Sequence, residues 1–491
     1  MKNRGGEMQT ERSAPAIPPA GGAPAPDLCL DLTGIRAEEI GPSHGLSPVD
    51  WERAGPDLER VADEMRRMRI DGVLEPLERT PRLPGIERLR AIADHCRSFD
   101  GFVAVAPGGP AASARLFHDL RFPELMNLLP VSRRGGPRLF VSDGLDPDRF
   151  EMLLETAPPG DTVYHVIGDA DPPADLVIRM RILVQKLREA RPDRWRDHLV
   201  ISTPPGDGVL SRFAREHGIT HLATGPREEG CFSVLGSAGL LSAAVAGIPP
   251  EEILAGAERF DARCRERRPI ENPALALAGI LWMMDRAKGK PNAAVWSFAE
   301  ALSGFGAWVS RLWSESFGKR RTPQGEARSP VGGLAIDSIG PRDRETLLQR
   351  LLHGPSDFWI VQVRVGRPAF RSAVPAAGDV RIEGSEHLDG RRIDEVVALE
   401  ASGMEMLLRD EARPLVGIEL PDFSGGSIGQ LCQLFQWTTI AAAMLYHVDP
   451  FDRPAVAEGR RLAHAAAGRP DLENLRNQIE THRADPGRYR I

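Results

Sequence analysis

From residue 48 to residue 70 the apolar positions Leu58, Val61, Met65 and Met68 recur among charged neighbours. Their spacing matches the helical period of about 3.6 residues and predicts a helix with one buried face. Beyond it the pattern changes to short apolar runs at 102–106, 138–141, 162–167 and 198–202, and the stretch 217–223 leads into a further one. Helical patterns from about residue 111 and over 174–190 separate these runs. Near-continuous apolar runs alternating with helices predict strands buried on both faces of a parallel sheet. The alternation restarts after Lys290, with strand-like runs at 293–298, 358–365, 391–399 and 415–420 and a helix through 302–312. A long apolar helix over 428–447, a turn at Asp449 and Pro450, a helix from Pro454 and a polar helical tail to residue 491 complete the chain.

The fold class is therefore α/β, with two tandem domains built on doubly wound, mainly parallel sheets. Residues 1–27 form a tail rich in Pro, Ala and Gly with nothing to bury, expected to be disordered. Residues 28–288 hold an N-terminal helical arm and the first α/β domain. Residues 289–491 hold the second with its C-terminal helical tail, the boundary falling at the Lys288-Gly-Lys turn before Pro291.

Composition narrows the function classes. The 491 residues are 42% hydrophobic, and 62 basic against 69 acidic residues leave a net charge of −7. That balance is too mild and mixed for a nucleic-acid partner or an anionic membrane surface. The five cysteines, Cys29, Cys96, Cys231, Cys264 and Cys432, are far apart and form no disulfide framework or zinc pattern. No metal or other cofactor is expected. With no apolar run approaching the roughly 18 residues of a membrane span and no leader pattern, a cytoplasmic location is expected.

Several segments in order carry a resemblance: Cys231-Phe-Ser-Val-Leu-Gly-Ser-Ala-Gly-Leu, Glu271-Asn-Pro-Ala, Leu312-Trp-Ser-Glu-Ser-Phe-Gly-Lys319, Gly340-Pro-Arg-Asp-Arg-Glu-Thr-Leu-Leu-Gln349 and Asp449-Pro-Phe-Asp-Arg-Pro-Ala-Val-Ala-Glu-Gly-Arg460. Together they resemble the phosphoglucose (glucose-6-phosphate) isomerase family, two-domain enzymes built from sugar-isomerase (SIS) α/β sheets. The resemblance implies interconversion of glucose 6-phosphate and fructose 6-phosphate, a step of glycolysis and gluconeogenesis, through an enediolate. A glutamate base at C2, a cation beside the enediolate oxygen, a ring-opening acid–base pair and a phosphate cradle at a helix N-terminus are then required. It also implies a homodimer, and the uniformly apolar 428–447 helix suggests an interface element.

Residue by residue, the implied site is altered. Glu315 holds the C2-base position, and Lys319 completes the Glu-Ser-x-Gly-Lys pattern. Glu345 stands at the histidine position, Arg460 at the late lysine, and Arg453 where the family has glutamine. Gly108 and Gly109 keep the first glycine pair, followed by Pro110 in place of serine. Cys231 replaces the arginine expected beside the enediolate, and a thiol does not supply a guanidinium's charge. The hydroxyl-rich phosphate loop aligns with Gly168-Asp-Ala-Asp-Pro-Pro173, which has no hydroxyl, places Asp169 and Asp171 beside the expected dianion, and reads as an Asp helix cap with prolines in the first turn.

Two readings follow. One is an active isomerase whose sugar-phosphate contacts have moved to Arg453, Arg460 or Lys319. The other is a catalytically degenerate relative acting as a ligand-binding or protein-interaction module. In the second, Arg453 or Arg460 is expected within ~4 Å of the Glu315 or Glu345 carboxylate, so that the charges satisfy one another.

Overall fold

The computed structural model describes residues 27–74, 77–78, 85–327, 329–368, 372–376 and 382–484. The predicted tail, apart from Asp27, and the end of the polar helical tail lie outside these residues. The strands are β1 (Cys29–Asp31), β2 (Gly101–Val105), β3 (Arg138–Ser142), β4 (Thr162–Ile167), β5 (Leu199–Thr203), β6 (Thr220–Ala223), β7 (Asn292–Ser297), β8 (Ala335–Ile339), β9 (Phe358–Arg367) and β10 (Leu415–Asp422). They form two sheets, β3-β2-β4-β5-β6 and β1-β10-β9-β7-β8. The first is parallel throughout, and in the second only β1 runs antiparallel, against β10. All five residues of β2 are buried, as a central parallel strand covered on both faces requires.

The N-terminal helix spans Pro48–Ile70, capped by Ser47 and Asp50 in a reciprocal capping box, and buries Leu58, Val61 and Met65. Two departures from the sequence pattern have clear causes. The run 391–399, read as a strand, opens the helix Ile393–Asp410, whose buried residues Ala401 and Leu408 stand seven apart on one helical face. The short strands β1 and β8 were not anticipated; β1 is three partly exposed residues, and Asp337 interrupts the apolar character of β8. Because β1 joins the second sheet, the start of the chain crosses from the first α/β unit to the second.

The long apolar helix spans Gly425–Leu445 and is buried on every side within one subunit, so its hydrophobicity is explained without a partner chain. It packs beside the helices Pro250–Arg263 and Pro273–Arg286 in the core that lies on the second sheet and takes in Leu116 and Phe117 of the first unit. Among the described residues no helix is long and apolar enough to cross a membrane, and no group of three or more His, Cys, Asp or Glu is placed to hold a metal ion.

Candidate active site

Helix Ser303–Phe317 buries Leu312, Trp313, Ser316 and Phe317 and leaves Glu315 half-buried on the side facing the first sheet's loops. There it meets the 3-10 turn Gly230–Leu235, which is wholly buried. The Cys231 N–H donates to Glu315 Oε2 at 3.2 Å, and the Trp308 indole donates to the Cys231 carbonyl at 2.9 Å. One helix thus grips both backbone groups of a single residue.

Two glycines allow this approach. A Cβ at Gly109, at the start of helix Gly108–Asp119, would lie 2.4 Å from the Cys231 amide nitrogen. Gly230 has φ +57°, and a Cβ there would lie 2.4 Å from Glu315 Oε2 and 3.0 Å from Arg453 Nη1. The glycine pair therefore serves close backbone approach, and Gly108, with φ +37°, faces Glu315 Oε1.

The loop after β4 brings the second half of the site. Arg460 Nη1 donates to Asp169 Oδ2 at 2.8 Å and to the Asp171 carbonyl at 3.4 Å. Arg453 Nη2 donates to Asp169 Oδ2 at 3.2 Å and to Glu229 Oε2 at 3.2 Å. Asp169, Arg453 and Arg460 each keep less than a fifth of their side-chain surface exposed, so these pairs are shielded from water. Burial works against the charge of Arg453, but Asp169, Glu315 and Glu229 outweigh it and hold the guanidinium above its ordinary range.

The anticipated ion pairing therefore exists with different partners. The guanidinia pair with Asp169 and Glu229, while Glu315 acts on Arg453 from across Gly230. Nor is Asp169 a helix cap. The N-cap of helix Ala174–Ala190 is Pro173, with no side-chain cap, so no aspartate caps it and both prolines precede its first turn rather than lying in it. The first-turn acid, Asp175, pairs with Arg179 at 2.8 Å.

Lys319 is buried, and its ammonium donates to the Glu315 carbonyl at 2.8 Å and to the Asp452 carbonyl, while pairing with the Asp452 carboxylate at 3.0 Å. It closes the end of the Glu315 helix and ties the Arg453 segment to it. Cys231 is completely buried, and desolvation first, then the charge of Glu315, push its thiol well above the ordinary range. It is a neutral group at the position where a cation is expected.

Glu345 is not brought to this cluster. It lies in the first turn of helix Arg344–His353, 79% exposed and paired with Arg344 at 2.9 Å. Glu229 and Asp452, which complete the ion pairs, were not singled out in the sequence. Their signal was proximity, since Glu229 stands two residues before Cys231 and Asp452 directly precedes Arg453.

No protein-family model matches the chain. It is 32% identical over 436 residues to a glucose-6-phosphate isomerase of Rubrobacter xylanophilus, covering 87% of this chain and 97% of that protein. It is 30% identical over 392 residues to the Carboxydothermus hydrogenoformans glucose-6-phosphate isomerase, covering 79% and 83%. Among solved structures it is similar in fold to a hypothetical protein from Thermus thermophilus, with TM-score 0.76 and 24% identity over 90% of this chain and all of that one. A Chlamydia trachomatis glucose-6-phosphate isomerase shares the fold with TM-score 0.65 and 17% identity, covering 81% and 76%. The chain therefore belongs to the glucose-6-phosphate isomerase family.

Proposed function

We propose that this chain is a catalytically degenerate member of the family. It keeps the two-sheet scaffold and the glutamate at the base position, and acts by binding a ligand or a protein. The observation that supports this most strongly is the double engagement of Asp169 by Arg453 and Arg460 at the loop where the family binds phosphate. A substrate dianion would meet a carboxylate there. The prolines at 172 and 173 also lack the N–H groups that an anion uses at a helix N-terminus.

The chemistry agrees. Proton abstraction by Glu315 would raise negative charge on an enediolate oxygen, and preorganised charge or hydrogen-bond donors are worth roughly 10²–10³ in rate at such a place. Cys231 offers a neutral thiol, and Arg453 is already shared between Asp169 and Glu229. Within the single chain Glu345 faces solvent and pairs with Arg344, not with the groups around Glu315.

A second reading, an active isomerase on a sugar-phosphate substrate, is favoured by the names of the relatives and by Glu315, held at the base position by the Cys231 amide. Under it, Arg453 and Arg460 leave Asp169 and take the substrate phosphate. A coupled assay for fructose 6-phosphate separates the two. Background turnover supports degeneracy, and turnover that disappears in Glu315→Gln supports the isomerase. The homodimer implied by the family resemblance is retained as a proposal, and a monomeric mass by light scattering at micromolar concentration would contradict it.

A further inference from the structure

Away from this cluster, a cleft of about 510 Å³ opens beside the edge strand β3, between the end of helix Gly108–Asp119 and helix Pro147–Thr156. Its size suits a small organic ligand. Phe140, Val141, Phe150 and Leu153 supply apolar wall. His118, which lines it, is 1% exposed, and neither ring nitrogen has a hydrogen-bond partner among the described residues. A buried polar ring in that condition costs stability unless something bonds to it.

Next to it, Asp119 is half-buried and accepts one hydrogen bond, from the Ser303 hydroxyl at 3.1 Å. No arginine or lysine among the described residues forms an ion pair with it. The two guanidinia of the cleft, Arg115 and Arg149, are both turned onto Asp143, at 2.9 and 3.6 Å. Glu124 and Asp146 add two further carboxylates to the lining. The cleft thus has an excess of negative charge and a half-buried carboxylate without an ion pair beside an apolar wall.

We propose that this cleft is a binding site for a small organic cation, a primary amine or amidine carrying an apolar body, with its nitrogen on Asp119 and its body against Phe140 and Phe150. The charge excess disfavours sugar phosphates and other anions, so the site is distinct in ligand chemistry from the cluster around Glu315 and does not depend on the reading given to that cluster.

Ligand-observed saturation-transfer NMR on the full chain tests this with three probes of one shape and different charge: benzylamine, benzyl alcohol and benzoate, at equal millimolar concentrations. Benzylamine is expected to give the strongest signal and benzoate none. Asp119→Asn is expected to weaken benzylamine binding roughly tenfold, the loss of one favourable charge contact. Should Asp119→Asn fold poorly, Met152→Lys, at an exposed rim position, is expected to weaken it by adding a cation at the mouth. Equal signals from all three probes, no benzylamine signal, or benzylamine binding unchanged in the folded variants would overturn the proposal.

Discussion

Arg460 reaches across from the C-terminal arm to bond Asp169 at 2.8 Å, joining residues 291 positions apart. The same carboxylate oxygen receives Arg453, so one acid of the first α/β unit is held by two arginines of the second. Where the family resemblance implies donors for a phosphate, this loop presents a carboxylate already held by two arginines.

If that shielded cluster is coupled, its members will not act additively. Asp169→Ala and Arg453→Ala should each destabilise the chain by about 1–2 kcal/mol, since each leaves a shielded charge with a single partner, Glu229 for Arg453 and Arg460 for Asp169. The double variant should lose at least about 1 kcal/mol less than the sum. Urea denaturation of the four proteins measures this coupling, and strict additivity would show the contacts to be energetically independent.

Lys319 should behave as a structural tie. Lys319→Met leaves the Glu315 carbonyl, the Asp452 carbonyl and the Asp452 carboxylate without their shared donor. A loss of about 2–3 kcal/mol in urea denaturation is expected. A variant as stable as the parent would return Lys319 to the pool of ligand-binding candidates.

Reinstating the family's arginine should not rescue the site. Cys231 is completely buried between the Gly109 backbone and helix Ser303–Phe317, and a guanidinium there would clash and lack water. Cys231→Arg is expected to lower stability by at least about 3 kcal/mol, read as a fall in melting temperature, without gain of turnover.

Acid should weaken the first sheet through two histidines. His118 and His165 are buried and pushed down to about 3, by desolvation first and then by the charge of Arg115 on His118 and of His118 on His165. In the unfolded chain both titrate near 6.5, so the unfolded state takes up protons first as pH falls. The stability they permit is intact above that value and is lost from about 6.5 down toward 3, by up to about 2 kcal/mol per histidine at pH 5. His118→Leu should flatten the fall in unfolding free energy between pH 6.5 and 5, and an unchanged slope would contradict the burial argument.

Much of the fold was legible because its periodicities are local. Helices Pro48–Ile70 and Ala174–Ala190 and strand β4 have the predicted limits. The strand read at 391–399 failed because its apolar residues continue at helical spacing to Leu408, beyond the window considered. In the site, Glu315, Arg453 and Gly108 were recognisable by motif, and the structure gathers them around Gly230. What motif order could not convey was the choice of partner. Asp169 was visible as a charge unfavourable to phosphate, but its pairing with Arg460 depends on how the helix Pro454–Ala466 meets the loop after β4.

The most direct test follows the proton that the family's chemistry must move. The purified chain is incubated with glucose 6-phosphate deuterated at C2, and loss of the label to solvent is followed by NMR beside Glu315→Gln. Washout indistinguishable from buffer in both proteins is the predicted result, whereas washout by the parent chain that Glu315→Gln abolishes would show a working base and contradict catalytic degeneracy.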